Sequence, residues 1–126
     1  MRPKTLAEVA QLAGGGDSFD RCLANFLDEF YAAPHPKALA DAPSLLAPSF
    51  GEPGHVQDAY LAATAEELAR AHKFSAPAWV AADARKLRQP WFASPLAALR
   101  TVLLLESPAA FRSRNLFISE NALTRV

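Results

Sequence analysis

Cysteine is almost missing from this chain, and its scarcity excludes several kinds of site. Cys22 is the only cysteine, so the chain can form neither an internal disulfide nor a zinc site with several thiolates. Cys22 lies in an apolar helical pattern, which predicts a buried and unreactive thiol. We expect no metal and no cofactor, because His35, His55 and His72 lie far apart and lack the spacing of metal ligands.

Long apolar runs are missing as well. The longest, such as Val102 to Leu105, fall far short of the roughly 20 residues that cross a bilayer. The start, Met1 to Lys4, is followed by Glu8 and Gln11 before any apolar run, so we expect no signal peptide. The sequence therefore predicts a cytoplasmic protein without membrane association.

The residues that are present favour helix. Hydrophobic residues make up 51% of the 126 residues, alanine and leucine are abundant, and β-branched residues are few. This length is typical of one domain with its own core. We predict a single all-α domain over residues 1–126, compact, with four to six helices, proline-rich loops and an extended C-terminal segment.

Net charge is zero, which is unlike a strongly basic nucleic-acid-binding domain, but the charge is unevenly spread. Residues 1–60 hold four Lys/Arg and eight Asp/Glu, whereas residues 61–126 hold nine and five. Either the basic half meets an acidic partner, or the two halves neutralise each other within the fold. The basic residues of the later half include Arg85, Lys86, Arg88, Arg100, Arg112, Arg114 and Arg125.

Hydrophobic periodicity predicts two helices in the first third of the chain. The first covers residues 5–13 and ends at the glycines 14–16. Asp17 is the predicted N-cap of the second, which ends before Pro34. Its apolar stripe contains Phe19, Phe26 and Phe30, which we expect in the core.

The middle of the chain predicts a loop followed by a long helix. Residues 44–54 contain two prolines and two glycines and are predicted as a loop. Residues 55–72 have the apolar spacing of a helix with Val56 and Tyr60 on one face.

Two Ser-Pro pairs predict helix starts later in the chain, with the serine as cap and the proline at the first helical position. Ser94-Pro95 would open a helix through residues 96–105, which is apolar nearly all round and therefore predicted to be the most buried. Ser107-Pro108 would open a short helix that ends at Asn115. Residues 116–118 are then predicted to be extended.

The C-terminal third is the predicted docking surface for a protein partner. Large aromatic residues in its loops and an Arg/Asn group beside apolar residues suit a contact site, because arginine offers bidentate donors. The extended residues 116–118 could also pair with a partner strand. The predicted partner-binding residues are Trp79, Trp91, Phe92, Arg112, Arg114, Asn115 and Phe117.

The sequence leaves two other functions open. Residues 5–14 resemble the first helix of a helix-turn-helix DNA-binding unit, although the next helix is acidic and would be repelled by phosphates. No catalytic motif is present, so we predict no enzyme and name no catalytic residue. A small-molecule site or active site assembled across the fold is the second alternative, with a pocket lined by Trp79, Trp91 and Tyr60.

One resemblance concerns residues 17–126. The segments Pro77-Ala78-Trp79, Pro90-Trp91-Phe92 and 106–118 (ESPAAFRSRNLFI) are together similar to an uncharacterised bacterial helical domain. That domain occurs alone or behind helix-turn-helix regulators, often paired with a nucleotidyltransferase-type toxin. The resemblance implies an accessory or antitoxin-like protein. We therefore predict a non-enzymatic protein-interaction module whose partner is a protein, with nucleic acid disfavoured and a homo-oligomer left open.

Overall fold

The computed structural model describes residues 2–93 and 100–125, apart from the side chain of Thr101, and this part of the chain is mostly helical. The predicted all-α class is confirmed, and three of the seven α-helices in this part consist of one turn. The α-helices are α1 (Leu6–Gly14), α2 (Phe19–Ala32), α3 (Lys37–Ala40), α4 (Ala47–Phe50), α5 (Glu52–Ala71), α6 (Arg100–Glu106) and α7 (Ala109–Arg112). Two 3-10 turns (Ala78–Ala81 and Asp83–Arg85) and two short strands, β1 (Trp91–Phe92) and β2 (Leu116–Phe117), complete the order.

Helices α1 and α2 form where the periodicity predicts them, with one difference at a cap. The Thr5 hydroxyl accepts from the Glu8 N–H at 3.1 Å and caps α1. The N-cap of α2 is Ser18, whose hydroxyl accepts from the Arg21 N–H at 3.2 Å. The prediction of Asp17 was wrong by one residue, because the Asp17 carboxylate instead accepts from the Ser18 N–H and forms an ion pair with Arg21.

The aromatic stripe of α2 lies in the core, as predicted. Phe26 and Phe30 are buried and stack with ring centroids 5.8 Å apart, and Cys22 is buried beside them. Phe19 is partly buried and meets the Tyr60 ring edge-on at 6.3 Å. The stripe therefore joins α2 to α5.

The segment predicted as a loop over residues 44–54 contains α4 and the start of α5. A distant carboxylate explains the extra helix, because buried Asp58 accepts from the N–H groups of Leu46 at 2.7 Å and Ala47 at 3.1 Å. Gly54 lets the two helices approach closely: a Cβ at this position would lie 2.5 Å from the Leu46 carbonyl oxygen. Tertiary contacts thus override the local proline and glycine signals.

Helix α5 is the central helix, and α6 is not. Residues 61–65 of α5 are all buried, including the small residues that permit close packing. In α6, Leu103 is buried, whereas Val102, Leu104 and Leu105 are 47%, 44% and 76% exposed. The predicted burial of residues 96–105 is therefore wrong over the described part of that helix, and its predicted start at Ser94-Pro95 lies outside the described residues.

The two strands pair in parallel, with Trp91 opposite Leu116 and Phe92 opposite Phe117. Ser107 supports this pairing instead of capping α7, which has no side-chain cap. Its buried hydroxyl accepts from the Ile118 N–H at 2.8 Å and lies 2.5 Å from the Leu103 carbonyl oxygen. The predicted Ser107 cap was wrong because the hydroxyl ties the end of α6 to the chain after β2.

Ion pairs connect the acidic and basic halves of the chain. Arg85 lies 3.8 Å from Asp58 in the interior, and Arg125 donates to Asp28 at 2.9 Å on the surface. Part of the charge asymmetry is thus neutralised internally. No helix within residues 2–93 and 100–125 has the combined length and apolarity that crossing a membrane requires.

Candidate functional site

A cleft of about 720 Å³ opens between α2, the first half of α5 and the chain around β1 and β2. Its apolar walls come from Leu23 and Leu27 of α2, Val56 of α5, Trp91 of β1 and Ile118 after β2. A cleft of this volume with mostly apolar walls is typical of a ligand or peptide site.

A second cleft, of about 730 Å³, lies on the other side of Trp91. The two clefts share Glu52, Val56 and Trp91, so they adjoin along the first half of α5. We call the two clefts together the Trp91 groove. The Trp91 side chain is 36% exposed and stands where they meet.

Backbone pairing holds Trp91 in this position. The Trp91 N–H donates to the Asn115 carbonyl at 2.8 Å, and the Ala93 N–H donates to the Phe117 carbonyl at 2.9 Å. Asn115 has a φ of 63°, a left-handed conformation that asparagine tolerates better than most residues. Its side-chain amide donates to the Leu87 carbonyl at 2.8 Å. Asn115 therefore orients the strand that carries Trp91.

Tyr60 closes the inner wall of the first cleft. Its ring contacts Phe111 edge-on at 4.9 Å and Phe19 at 6.3 Å. Burial, together with the negative charge of Asp20, raises the pKa of Tyr60 to about 12. The phenol is therefore neutral at physiological pH and can donate a hydrogen bond into the cleft.

The rim of the first cleft carries both acidic and basic residues, but its cation, Arg125, already forms an ion pair within the chain. Arg125 donates to Asp28 at 2.9 and 3.3 Å, which lowers the pKa of that carboxyl. Asp20 and Glu52 are exposed and make no ion pair with any residue in the described ranges. The charge left over on this rim is therefore negative.

The predicted docking residues fall into separate places, and only Trp91 lines the groove. Trp79 is partly buried elsewhere, where its indole N–H donates to the Leu39 carbonyl at 2.9 Å and its ring lies 4.9 Å from the Arg85 guanidinium carbon. The pocket predicted from Trp79, Trp91 and Tyr60 thus contains the last two and lacks Trp79.

Phe92 and Phe117 support the strand pair. Their rings stack at 5.1 Å, and Arg100 lies over the Phe92 ring at 5.0 Å. Phe117 is buried and is not accessible to a partner. Residues 116–117 pair with the chain's own β1. A strand of a partner protein could therefore pair only with the other edge of β2. Arg112 is exposed on α7 but does not line the groove.

Arg114 is a buried structural cation. Its guanidinium donates to the Ala110 carbonyl at 2.6 Å, the Val80 carbonyl at 2.9 Å and the Glu66 carboxylate at 3.2 Å. These bonds tie α7 to α5 and to the first 3-10 turn. Arg114 and Phe117 are therefore excluded from a docking surface, and Asn115 acts on it only by positioning the backbone of Trp91.

Sequence reasoning missed the contribution of α2 and the start of α5. The apolar periodicity of α2 predicts only a core stripe, although Leu23 and Leu27 also line the groove, as does Asp20. No local signal marks Glu52 as a rim residue, because the fold brings α5 beside β1. The groove is assembled from segments about 70 residues apart, such as Asp20 and Trp91.

The chemistry that these residues offer is binding through apolar contact with a few polar groups. No three His, Cys, Asp or Glu residues in the described part of the chain lie close enough together to hold a metal ion. No protein-family model, curated protein or solved structure matches this chain, so its function is argued from the Trp91 groove itself.

Proposed function

We propose that this protein is a non-enzymatic protein-interaction module that binds a segment of its partner in the Trp91 groove. The observation that carries the proposal is the partly exposed Trp91 at the junction of a mostly apolar cleft and a second, more polar one. Tryptophan is enriched among residues that dominate binding energy, because its large ring excludes water from the centre of a contact.

The shape of the groove supports a protein segment over a compact ligand. Each cleft alone has the volume of a small-molecule site, and the two adjoin at Glu52, Val56 and Trp91. An elongated occupant, such as a helix or an extended peptide, can fill both clefts at once. Helix-in-groove recognition of this kind depends on several apolar anchors along one face of the partner.

The antitoxin-like role comes from the sequence resemblance and is part of the same proposal. The partner would then be a toxin, and the chain would neutralise it in the cytoplasm. DNA binding is the weaker alternative, because two arginines of the basic half, Arg85 and Arg114, are buried. Arginines in the interior cannot contact phosphates.

Capture from a lysate of the native cells, followed by mass spectrometry, tests the proposal with three baits. The baits are the wild-type chain, Trp91→Ala and Phe50→Ala, a control that removes an exposed aromatic side chain outside the groove. We expect a stoichiometric partner on the wild type and on Phe50→Ala, and its loss on Trp91→Ala. Equal capture by all three baits would show that the partner docks elsewhere.

A small-molecule-binding protein is the second candidate, favoured by the placement of Tyr60 and Trp91 in the first cleft. A neutral phenol donor in an apolar wall is a typical means of orienting a small ligand. A thermal-shift screen of small amphipathic compounds tests it, since a ligand that binds only the folded chain raises the melting temperature. A compound that stabilises the wild type but not Tyr60→Phe would favour this candidate over the first.

A further inference from the structure

If the Trp91 groove binds a partner segment, as the proposed function holds and as this inference requires, the charges around the groove indicate which residues that segment carries. We infer that the occupant is an amphipathic protein segment whose apolar face is flanked by lysine or arginine. The charge of the partner segment and the place where it binds are separate properties, so an experiment can contradict one and support the other.

Two acidic residues line the first cleft. Asp20 lies in the first turn of α2, and Glu52 begins α5. Neither makes an ion pair with the described residues, and both are exposed. The two carboxylates are therefore available to a cation on a partner.

The same cleft is also lined by a cation, Arg125. Both of its interacting nitrogens are bonded to the Asp28 carboxylate. An acidic partner would need to compete with Asp28 for this guanidinium, whereas a basic partner meets Asp20 and Glu52 directly. Charge complementarity of this kind selects partners and raises the association rate.

The first cleft also has an apolar floor. Leu23, Leu27, Val56 and Trp91 line the cleft together with the two carboxylates. A segment that fits must bury apolar side chains on this floor and extend its charged ends to the rim, which lysine and arginine do with their long aliphatic stems. Glu52 lies at the junction of both clefts, so one basic residue should sit near the middle of the segment.

The second cleft supplies a matched control of opposite charge. Arg88 lines only that cleft, is exposed and makes no ion pair with the described residues. Reversing Arg88 replaces a repulsion by an attraction, so it should raise the affinity for a basic segment. Reversing Asp20 and Glu52 should lower it.

Fluorescence anisotropy with two synthetic peptides tests the inference. One labelled peptide is an amphipathic helix of leucine and lysine, and the other carries glutamate in place of every lysine. We expect the lysine peptide to bind the wild type more tightly, with Asp20→Lys/Glu52→Lys weakening it about tenfold at low salt, since two rim attractions become repulsions. The preference should shrink as salt screens the exposed charges. Circular dichroism checks that each variant is folded.

The outcomes separate the two proposals. If Trp91→Ala binds neither peptide and the wild type prefers the lysine peptide in a charge-dependent way, the proposed function and the inference about charge are both supported. The two peptides could instead bind equally well, with no effect of the double charge reversal but with loss of binding in Trp91→Ala. That result would overturn the inference about charge and still support the Trp91 groove as the binding site. Binding that ignores Trp91→Ala would overturn the proposed function. Failure of both peptides to bind the wild type would overturn the inference.

Discussion

The interaction between Asp58 and the start of α4 leads to a sharp prediction about stability. Asp58 is fully buried, and its two carboxylate oxygens accept from the N–H groups of Leu46 and Ala47. Arg85 lies 3.8 Å away, in a pocket where burial lowers the pKa of its guanidinium and Asp58 raises it. Replacing Asp58 by alanine removes two hydrogen bonds and the only described carboxylate paired with Arg85.

The magnitude follows from what the substitution leaves behind. Each orphaned backbone donor costs about 1–3 kcal/mol, and leaving one buried charge without its partner typically costs about 3–5 kcal/mol in all. These costs overlap, so we expect Asp58→Ala to lower the free energy of unfolding by about 3–5 kcal/mol. A domain of this size is stable by about 5–15 kcal/mol, and the melting temperature should fall by roughly 10–20 °C.

Chemical denaturation of Asp58→Ala, Arg85→Met and the double variant provides the assay. Removing Arg85 as well relieves the unpaired buried charge, so the double variant should lose about 1–3 kcal/mol less than the sum of the single losses. A loss below about 1 kcal/mol for Asp58→Ala, or losses that simply add, would refute the reasoning. Asp58→Asn should fall between the wild type and Asp58→Ala, because its amide can serve only one of the two N–H groups.

Three further predictions concern packing and titration. Gly54→Ala should lower the free energy of unfolding by about 1–3 kcal/mol in denaturant titrations, because the new Cβ meets backbone atoms at 2.5–2.8 Å; a neutral or stabilising result would contradict the close approach of α4 and α5. Burial raises the pKa of both tyrosines, Tyr60 to about 12, so ultraviolet titration should show less tyrosinate near pH 10 in the native chain than in the unfolded chain, and stability should fall as pH rises from about 10 towards 12. Arg125 lowers the pKa of Asp28 from its ordinary 3.8, so this ion pair contributes stability above pH 3.8, and the contribution is lost as pH falls through the lowered pKa. Asp28→Asn should therefore flatten the acid limb of a plot of stability against pH. An unchanged acid limb would contradict the pairing.

The sequence predicted the elements whose signals are local. The step pattern of Phe26 and Phe30, the glycines after α1 and Pro34 after α2 each act over a few residues, so the two helices fall within a residue or two of prediction. Misses occur where a distant group decides. The α4 turn forms because Asp58 satisfies its first N–H groups from α5, and periodicity cannot reveal such a partner.

Predictions of the site had the same limit. An aromatic, arginine-rich segment was chosen from composition, but composition does not say which way a side chain faces. Arg114 turns inward because three acceptors converge on it from positions as far away as Glu66, and Trp91 faces outward because β1 pairs with β2. The α2 and α5 walls came into the groove through long-range packing alone. The apolar composition of α6 likewise led to a wrong prediction of its burial, because Val102, Leu104 and Leu105 are exposed although they are apolar.

The different surroundings of the two tryptophans give the molecule two built-in optical reporters. Trp79 is held by Leu39 and lies against the Arg85 guanidinium, so its emission should follow the integrity of that corner of the fold. Trp91 is 36% exposed in the groove, so its emission wavelength and its quenching by acrylamide should follow occupancy. Because the chain has only these two tryptophans, replacing either one by phenylalanine leaves a single tryptophan. Unfolding and binding can then be observed separately in the unlabelled protein.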